Sequence, residues 1–342
     1  MQIQTFSNPD CFATLASDWH DLLKRSMTRQ VFITPEFQKA WWDTLGKSEN
    51  GTLQVITIRN ESGLLIGLAP LYHFITSEGQ TQMSFIGCVN VSDYLDFIVD
   101  QDYVNEVYDG IIEKLHATPQ AVNSFFCSIP ATSPTLSTFK EKLLKDAWQI
   151  KTTQQDVCPV ISLPKTWDEY LAAIGKKQRH EIKRKWKKLF DEQDAEFELV
   201  ELPNQAEAAI TDFITLHQAS SQEKKNFWND DHVRFFIHFT QKTAEKSWLK
   251  LYFLKVNNVR VAAMLGFAYN NQFFLYNSGF VADQYREYGI GSVLTAYTIQ
   301  QAIERGNVRY DFLRGDEAYK FRFRAVSEPV FDIQLTRISG IV

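Results

Sequence analysis

Arg286-Glu-Tyr-Gly289-Ile-Gly291 sets an arginine and two spaced glycines directly ahead of a stretch with helical spacing, Ser292–Arg305. The first turn of a helix leaves backbone N–H groups unpaired and carries the positive end of the helix dipole. Glycines there let an anion approach the backbone, and the arginine adds a cation. The chemistry on offer is the holding of a phosphate or pyrophosphate. The same residues also describe an ordinary glycine turn beside a solvated arginine, because short glycine patterns are common. A little further on, Asp311-Phe-Leu-Arg314-Gly-Asp316-Glu317-Ala-Tyr319-Lys320 gathers carboxylates, a phenol and two cations. A carboxylate takes a proton and a phenol supplies one, the two roles that group transfer to a nucleophile requires. Asp311 or Glu317 fits the base and Tyr319 the acid, with Arg314 and Lys320 as candidates for holding substrate. The competing reading is an ion-pair network joining Asp316 or Glu317 to Arg314, Lys320 or Arg322 around a core tyrosine.

Two further constellations stand out. Lys176–Lys188, KKQRHEIKRKWKK, holds eight Lys or Arg against one Glu in a chain of formal net charge −5. Leu171, Ile174, Ile182, Trp186 and Leu189 recur at helical spacing, so this is an amphipathic helix with one packed face. Its basic face, Arg179 included, is either solvated or a patch for an anion: a cofactor phosphate, a phosphorylated or nucleotide-linked sugar, or a tRNA. His217, in Leu216-His217-Gln218 and followed by Phe227-Trp228, is either a satisfied structural histidine or part of an acceptor site.

These residues need a frame. Gln272–Phe280 reads as a strand, Val281–Gly289 as a turn-rich stretch, Ser292–Arg305 as a helix closed by Gly306 at C′, and Arg309–Arg314 as a short strand. Ahead of them, Thr166–Phe190 reads as one long helix, Glu196–Leu202 as a strand, and Gln205–Ala219 and Asp230–Ser247 as helices. Leu249–Val256 and Val259–Tyr269 form a hairpin about Asn257-Asn258, a strong tight-turn signal. The first half has the same order. Gln2–Phe6 is a strand, Pro9–Met27 a helix, and Thr34 an N-cap with Pro35 at N1. Thr52–Arg59 and Leu64–Phe74 form a hairpin about Asn60-Glu-Ser-Gly63, and Gln82–Ile86 and Tyr94–Val99 are strands. Asp102–His116 is a helix, Ser124–Ile129 a strand, Pro134–Lys145 a helix, and Trp148–Lys151 starts a strand; the second half then opens on the strand Val157–Leu163. Two similar hairpins, each followed by strands and a helix, indicate duplication of one α/β unit.

The string LYNSGF…YREYGIGSVLTAYTIQQAIERG…YDFLRGDEAYKFRF resembles the GNAT acyltransferase superfamily, whose R-x-x-G-x-G loop holds the acyl-CoA pyrophosphate. Within it the chain is similar to the CelD/FemAB-like, double-GNAT (BcsL-type) branch, most strongly over Val157–Ala325. The resemblance implies an α/β fold of two tandem GNAT-like domains, each a mixed, mostly antiparallel sheet flanked by helices. The division is expected at 1–155, degenerate without a CoA loop, and 156–342, catalytic. It implies acetyl-CoA or another acyl-CoA as co-substrate, held by Arg286, Tyr288, Gly289, Ile290, Gly291 and Ser292. The strand Phe274–Gly279, with Asn277, Ser278 and Gly279, would lie along the pantetheine. His217, Arg179, Arg314 and Lys320 would face the acceptor, a small molecule, glycan or peptide, with an association towards cell-envelope or exopolysaccharide chemistry. Relatives tend to show Leu-His followed by Arg-Trp and a Lys-Gly pair, where this chain has Ser221-Gln222 and Lys224-Lys225-Asn226. The FemAB-like members transfer an aminoacyl group from tRNA and need no CoA loop, so the basic helix keeps tRNA in view. A binding protein on a worn GNAT fold is the third reading.

Composition sets the bounds. At 342 residues, 44% hydrophobic and 23% charged, the chain has the make-up of a globular protein with room for two cores. The acidic balance argues against a general nucleic-acid surface. The longest apolar stretch, near Leu64–Leu71, is too short to span a bilayer, and Met1-Gln-Ile-Gln opens no signal peptide. Cys11, Cys88, Cys127 and Cys158 form no Cys-x-x-Cys pair and read as reduced, packed thiols in the cytoplasm, with no metal site.

Overall fold

Asn257 and Asn258 both take the left-handed conformation, φ +50 and +63, which two-residue hairpin turns demand and asparagine tolerates. That turn is part of a computed structural model describing residues 1–46, 50–88, 91–145, 148–281 and 284–338. In chain order the strands are β1 (Gln2–Phe6), β2 (Thr52–Arg59), β3 (Leu65–Ile75), β4 (Thr81–Phe85), β5 (Ile98–Val99), β6 (Asn123–Pro130), β7 (Trp148–Ser162), β8 (Ala195–Val200), β9 (Leu249–Val256), β10 (Val259–Tyr269), β11 (Gln272–Phe280), β12 (Arg309–Asp311) and β13 (Val326–Arg337). The helices are α1 (Cys11–Thr14), α2 (Ala16–Arg25), α3 (Pro35–Trp41), α4 (Val104–Ala117), α5 (Lys140–Leu143), α6 (Trp167–Ala173), α7 (Lys176–Glu192), α8 (Pro203–Ser220), α9 (Gln222–Phe227), α10 (Asp230–Glu245), α11 (Ile290–Glu304) and α12 (Ala318–Arg322).

The chain forms two units, Met1–Asp156 with Glu328–Val342, and Val157–Ser327. The boundary falls inside β7. Residues 328–338, which the sequence reading assigns to the second domain, belong to the first, where β13 runs antiparallel to β6 from Val330↔Pro130 to Thr336↔Asn123. The two units repeat one strand order. In the first it is β1-β2-β3-β4-β6-β13, with β4 and β6 parallel and α4 between them in sequence. In the second it is β8-β9-β10-β11-β12-β7, with β11 and β12 parallel and α11 between them. The remaining pairings named by register are antiparallel.

In the second unit α11 lies on the sheet. Val293, Leu294, Ala296, Ile299 and Ile303 are buried in one cluster with Tyr252, Leu254, Leu275 and Tyr310. Gly306, φ +79, ends the helix as the C′ residue. In the first unit the Thr34 hydroxyl accepts from Phe37 N at 3.3 Å, capping α3 with Pro35 at its start.

Several elements depart from the sequence reading. The helix expected over Thr166–Phe190 breaks at Ile174-Gly175, where both residues are extended, and Arg179 Nη1 donates to the Leu171 carbonyl at 3.0 Å to close α6. The Pro9–Met27 helix is likewise interrupted, at Leu15. Of Tyr94–Val99 only Ile98–Val99 pairs. Pro134–Lys145 is a wide turn, Thr135–Phe139, followed by the short α5. Trp148 and Val157 start no separate strands but lie on one, and α9, α12 and β13 were not anticipated. Within Val281–Gly289, residues 282 and 283 lie outside the described residues. The expectation of four reduced thiols is corrected. Cys88 and Cys127 form a disulfide with Cα atoms 6.0 Å apart, while Cys11 and Cys158 are buried and not disulfide-bonded. Parallel pairing of β4 and β6 brings together cysteines that no local spacing connects, and the cysteine argument for a reducing compartment goes with that pair. Among the described residues no helix is long and apolar enough to cross a membrane.

Candidate active site

β11 and β12 are paired only over Gln272–Phe274 and Arg309–Asp311. Beyond that β12 ends and β11 runs on to Phe280. On its other side β11 carries one extra residue, Tyr276, because Asn277 faces Leu265 while Leu275 faces Gly266. Val281 N donates to Val261 O at 3.0 Å on the β10 side. Strand alternation then turns the backbone of Ser278 and Phe280 to the edge that β12 has left. Side chains from α8 and α9 take up that edge. Ser220 Oγ accepts from Phe280 N at 2.9 Å, and Lys224 Nζ donates to Ser278 O at 2.5 Å. Gly279 is required here, since a Cβ would stand 2.4 Å from His217 N on α8.

The glycine loop closes the other side. Gly289 is the N-cap of α11 at φ +61, a conformation suited to glycine. The N–H groups of Ile290, Gly291 and Ser292 have no acceptor among the described residues, whereas Val293 N already reaches Gly289 O at 3.1 Å. They open on a cleft of about 520 Å³, whose loop wall is Arg286, Gly289, Ile290, Gly291 and Ser292. Ser278, Phe280, Lys224, Glu317 and Tyr319 also line it. Tyr288 does not. Its hydroxyl donates to Glu192 Oε2 at 3.1 Å and accepts from Gln193 Nε2 at 2.9 Å, which fastens the loop to the end of α7. The corresponding helix of the first unit, α4, is preceded by Asp100 and Asp102, and Asp100 is bonded to Arg25 at 2.7 Å. The Asp100 carboxylate also accepts from Asp102 N at 3.1 Å, ahead of the helix, and no glycine precedes the N-cap Tyr103 as Gly289 precedes α11.

The acid–base segment divides. Tyr319 reaches the cleft, and its hydroxyl has no hydrogen-bond partner among the described residues. Burial, with Glu317 adding to it, holds the phenol well above its ordinary pKa, so it keeps its proton. Glu317 is exposed on the cleft wall and pairs with Lys320 at 2.7 Å. Asp311 does not reach the cleft: its side chain is 0% exposed, accepts from Leu313 N at 2.8 Å and pairs with Arg309 at 3.3 Å. It braces the left-handed Leu313, φ +56, at the turn after β12. Lys320 is buried and donates to the carbonyls of Leu313, Arg314 and Gly315 at 3.2, 2.9 and 3.0 Å, so it organises this loop. Neither Lys320 nor Arg314 lines the cleft.

His217 is also away from the cleft wall. Trp228 Nε1 donates to its Nδ1 at 3.0 Å, which fixes the tautomer and leaves Nε2–H to donate to Asn277 Oδ1 at 3.1 Å. Burial, then the charge of Lys224, pushes the imidazole down to about 4, against a smaller opposing effect of Asn277. His217 and Asn277 therefore tie α8 to β11. Arg179 caps α6, as described. On α7, Lys185 pairs with Glu181 at 2.8 Å, Lys187 with Asp191 at 2.5 Å and Lys188 with Glu287. Lys176, Lys177, His180, Lys183 and Arg184 are exposed and have no ion-pair partner among the described residues. Among the described residues no group of three or more His, Cys, Asp or Glu is placed to hold a metal ion.

Sequence reasoning missed Lys224, Met264, Phe280, Tyr285 and Thr295 as cleft residues. Phe280 and Tyr285 lie inside the string LYNSGF…YREYGIG that carries the resemblance and were legible there. Lys224 falls in the stretch where the chain departs from the family pattern, but its place in the cleft depends on how α9 folds back on β11.

Residues 176–321 match the acetyltransferase (GNAT) domain family. Solved structures of similar fold span the whole chain. FemX is 12% identical, covers 97% of each chain and has a TM-score of 0.67. The C-terminal domain of a putative lysylphosphatidylglycerol synthetase from Agrobacterium fabrum is 13% identical, with 96% of this chain and 93% of that one covered and a TM-score of 0.56. A tandem GNAT protein from the clavulanic acid biosynthesis pathway is 9% identical over 100% of both chains, TM-score 0.52. No curated protein matches in sequence. The chain is thus an α/β protein of two tandem GNAT-like units.

Proposed function

We propose that the second unit transfers an acyl group, most simply acetyl, from coenzyme A to an amine or hydroxyl acceptor. The observation that carries this reading is the set of three unpaired N–H groups at Ile290, Gly291 and Ser292, open to a cleft that Arg286 also lines. That is a ready site for a pyrophosphate. Ser278 and Gly279 stay in the reading as the strand beside the rest of the cofactor, with Asn277 bracing it through His217. In the transfer the acceptor's nucleophile bonds to the thioester carbonyl carbon and the carbon–sulfur bond breaks. Glu317 takes the proton from the nucleophile, and Tyr319 gives one to the departing thiolate; exchange with water resets both. Asp311 is set aside as base because its carboxyl is fully buried and engaged. Positioning and oriented N–H donors supply much of the acceleration. An acceptor in cell-envelope or exopolysaccharide synthesis rests on the CelD-like resemblance. Calorimetric titration with acetyl-CoA, followed by thiol release across a panel of amines and sugars, tests the reading. One site per chain and acceptor-dependent thiol release are expected, and absence of acetyl-CoA binding sinks it.

The exposed, unpaired face of α7 favours a second reading, aminoacyl transfer from tRNA. Salt-sensitive tRNA binding, lost on reversing Lys183 and Arg184 to Glu and unaffected by acetyl-CoA, would support it over the first.

A further inference from the structure

Lys224 stands in the cleft without a counter-ion. Its ammonium has three donors, and one is spent on the Ser278 carbonyl. The other two have no acceptor among the described residues, and no carboxylate pairs with it. Glu317, which shares the cleft wall, is bonded to Lys320 at 2.7 Å. The side chain is partly buried among cleft residues that include Met264, Phe280 and Tyr319. Burying a cation without an anion is costly unless something supplies the missing charge. Burial accordingly lowers the pKa of Lys224, with Glu317 and Glu223 only partly offsetting it.

A pyrophosphate at the start of α11 has its own donors in the loop and in Arg286. Lys224 instead shares its part of the wall with Tyr319 and Glu317, the residues assigned to proton transfer. We infer that Lys224 marks a subsite for a carboxylate at the reacting end of the ligand, borne either by the acyl group or by the acceptor. This rests on the acyl-CoA reading above. With Glu317 matched by Lys320, Lys224 leaves one positive charge unbalanced, which suits a singly charged carboxylate better than a doubly charged phosphate. The carboxylate would receive the two spare N–H donors in a charge-assisted contact.

Matched ligand pairs test this by calorimetry on the full chain. The acyl arm compares succinyl-CoA with butyryl-CoA. The acceptor arm compares alanine and β-alanine with their amides in the presence of saturating free CoA. In one arm the carboxylate member should bind about tenfold or more tighter. Lys224→Met should shrink that gap to less than about threefold, and Lys224→Arg should keep it. Should Lys224→Met fail to fold, Lys224→Gln against Lys224→Arg gives the same comparison. Wild-type protein that binds acyl-CoAs but shows no gap in either arm overturns this inference and leaves the acyl-CoA reading standing. A gap that survives in folded Lys224→Met overturns it as well. Protein that binds neither acyl-CoA overturns both.

Discussion

The Lys185 ammonium lies 2.7 Å from where the Cβ of a residue at 289 would begin. Lys185 is bonded to Glu181 at 2.8 Å, so moving it aside costs that contact. Gly289 is therefore constrained twice, by its left-handed backbone and by the side chain packed over it. Gly289→Ala should lower the unfolding free energy by about 1–2 kcal/mol from the backbone conformation alone, more if Lys185 must move. Urea unfolding followed by tryptophan fluorescence measures this. An alanine variant as stable as wild type would mean the loop readily adopts another shape.

Gly291 is constrained differently. Its backbone is not left-handed, and an added Cβ would meet only the Phe280 ring, at an ordinary 3.6 Å. Gly291→Val should fold with nearly native stability, because α11 is held by Val293, Leu294 and Ile299. The valine would occupy space in front of the free N–H groups, so acetyl-CoA binding should vanish. Full-strength binding by a folded Gly291→Val protein would remove the main support for the acyl-CoA reading.

Tyr319 and Glu317 should act on the chemical step more than on cofactor affinity. Tyr319→Phe and Glu317→Gln are each expected to slow turnover by about 10²–10⁴, with acetyl-CoA affinity within a few-fold of wild type. Because the phenol is held above its ordinary pKa, no loss of the acid is expected between pH 7 and 9. Turnover in both variants equal to wild type would reject the assignment.

How much of this was readable in advance depends on the range of the interactions involved. The two hairpins, the strand into the loop, the helix after it and the Gly306 stop all follow from period, turn residues and caps within a dozen or so neighbours. The break at Ile174-Gly175 was hidden because apolar residues keep helical spacing across it, and what stabilises the break, Arg179 reaching back to Leu171, is a contact between two helices. β13 was missed because its partner β6 lies far back in the chain. The same holds for Asp311 and Lys320. Alternation along a strand gives the side a residue faces, but not whether that side is the cleft or the core. Both residues carried chemistry-bearing types and serve instead to hold the loop that presents Glu317 and Tyr319.

Asp96, in the first unit, is fully buried, and its carboxyl accepts from Thr135 Oγ1 at 2.6 Å and Phe97 N at 2.9 Å. Burial raises its pKa to about 6 in spite of these donors and the hydroxyls of Ser133 and Thr28. A carboxyl with a raised folded pKa favours folding in its protonated form. Its contribution is complete below about pH 4 and is lost as pH rises through 6, at up to about 1.4 kcal/mol per pH unit. Asp96→Asn should abolish that slope. Subtracting the variant's stability curve from that of wild type isolates it, and a flat difference between pH 4 and 7 would contradict the assignment.

His217 should show the opposite slope. Its imidazole is fixed between the Trp228 donor and the Asn277 acceptor, so only the neutral Nε2–H tautomer satisfies both contacts. Protonating Nδ1 would set two donors against each other in a buried site, in agreement with a pKa pushed down to about 4. A histidine with a depressed folded pKa contributes fully above its unfolded value of about 6.5 and loses that contribution as pH falls towards 4. The ceiling is about 3 kcal/mol, since each pH unit between the two values is worth about 1.4 kcal/mol. His217→Gln should cost stability at pH 7 and much less at pH 4.5. The imidazole resonances of His217 in heteronuclear NMR should show no titration above pH 5 and a protonated Nε2 throughout. Trp228→Phe removes the donor to Nδ1 and should raise the imidazole pKa towards its ordinary value. A His217 that titrates near 6.5 in the wild-type protein would show that α8 and β11 are not joined through this residue, and would leave the Ser220–Phe280 bond and the close packing at Gly279 to account for their approach.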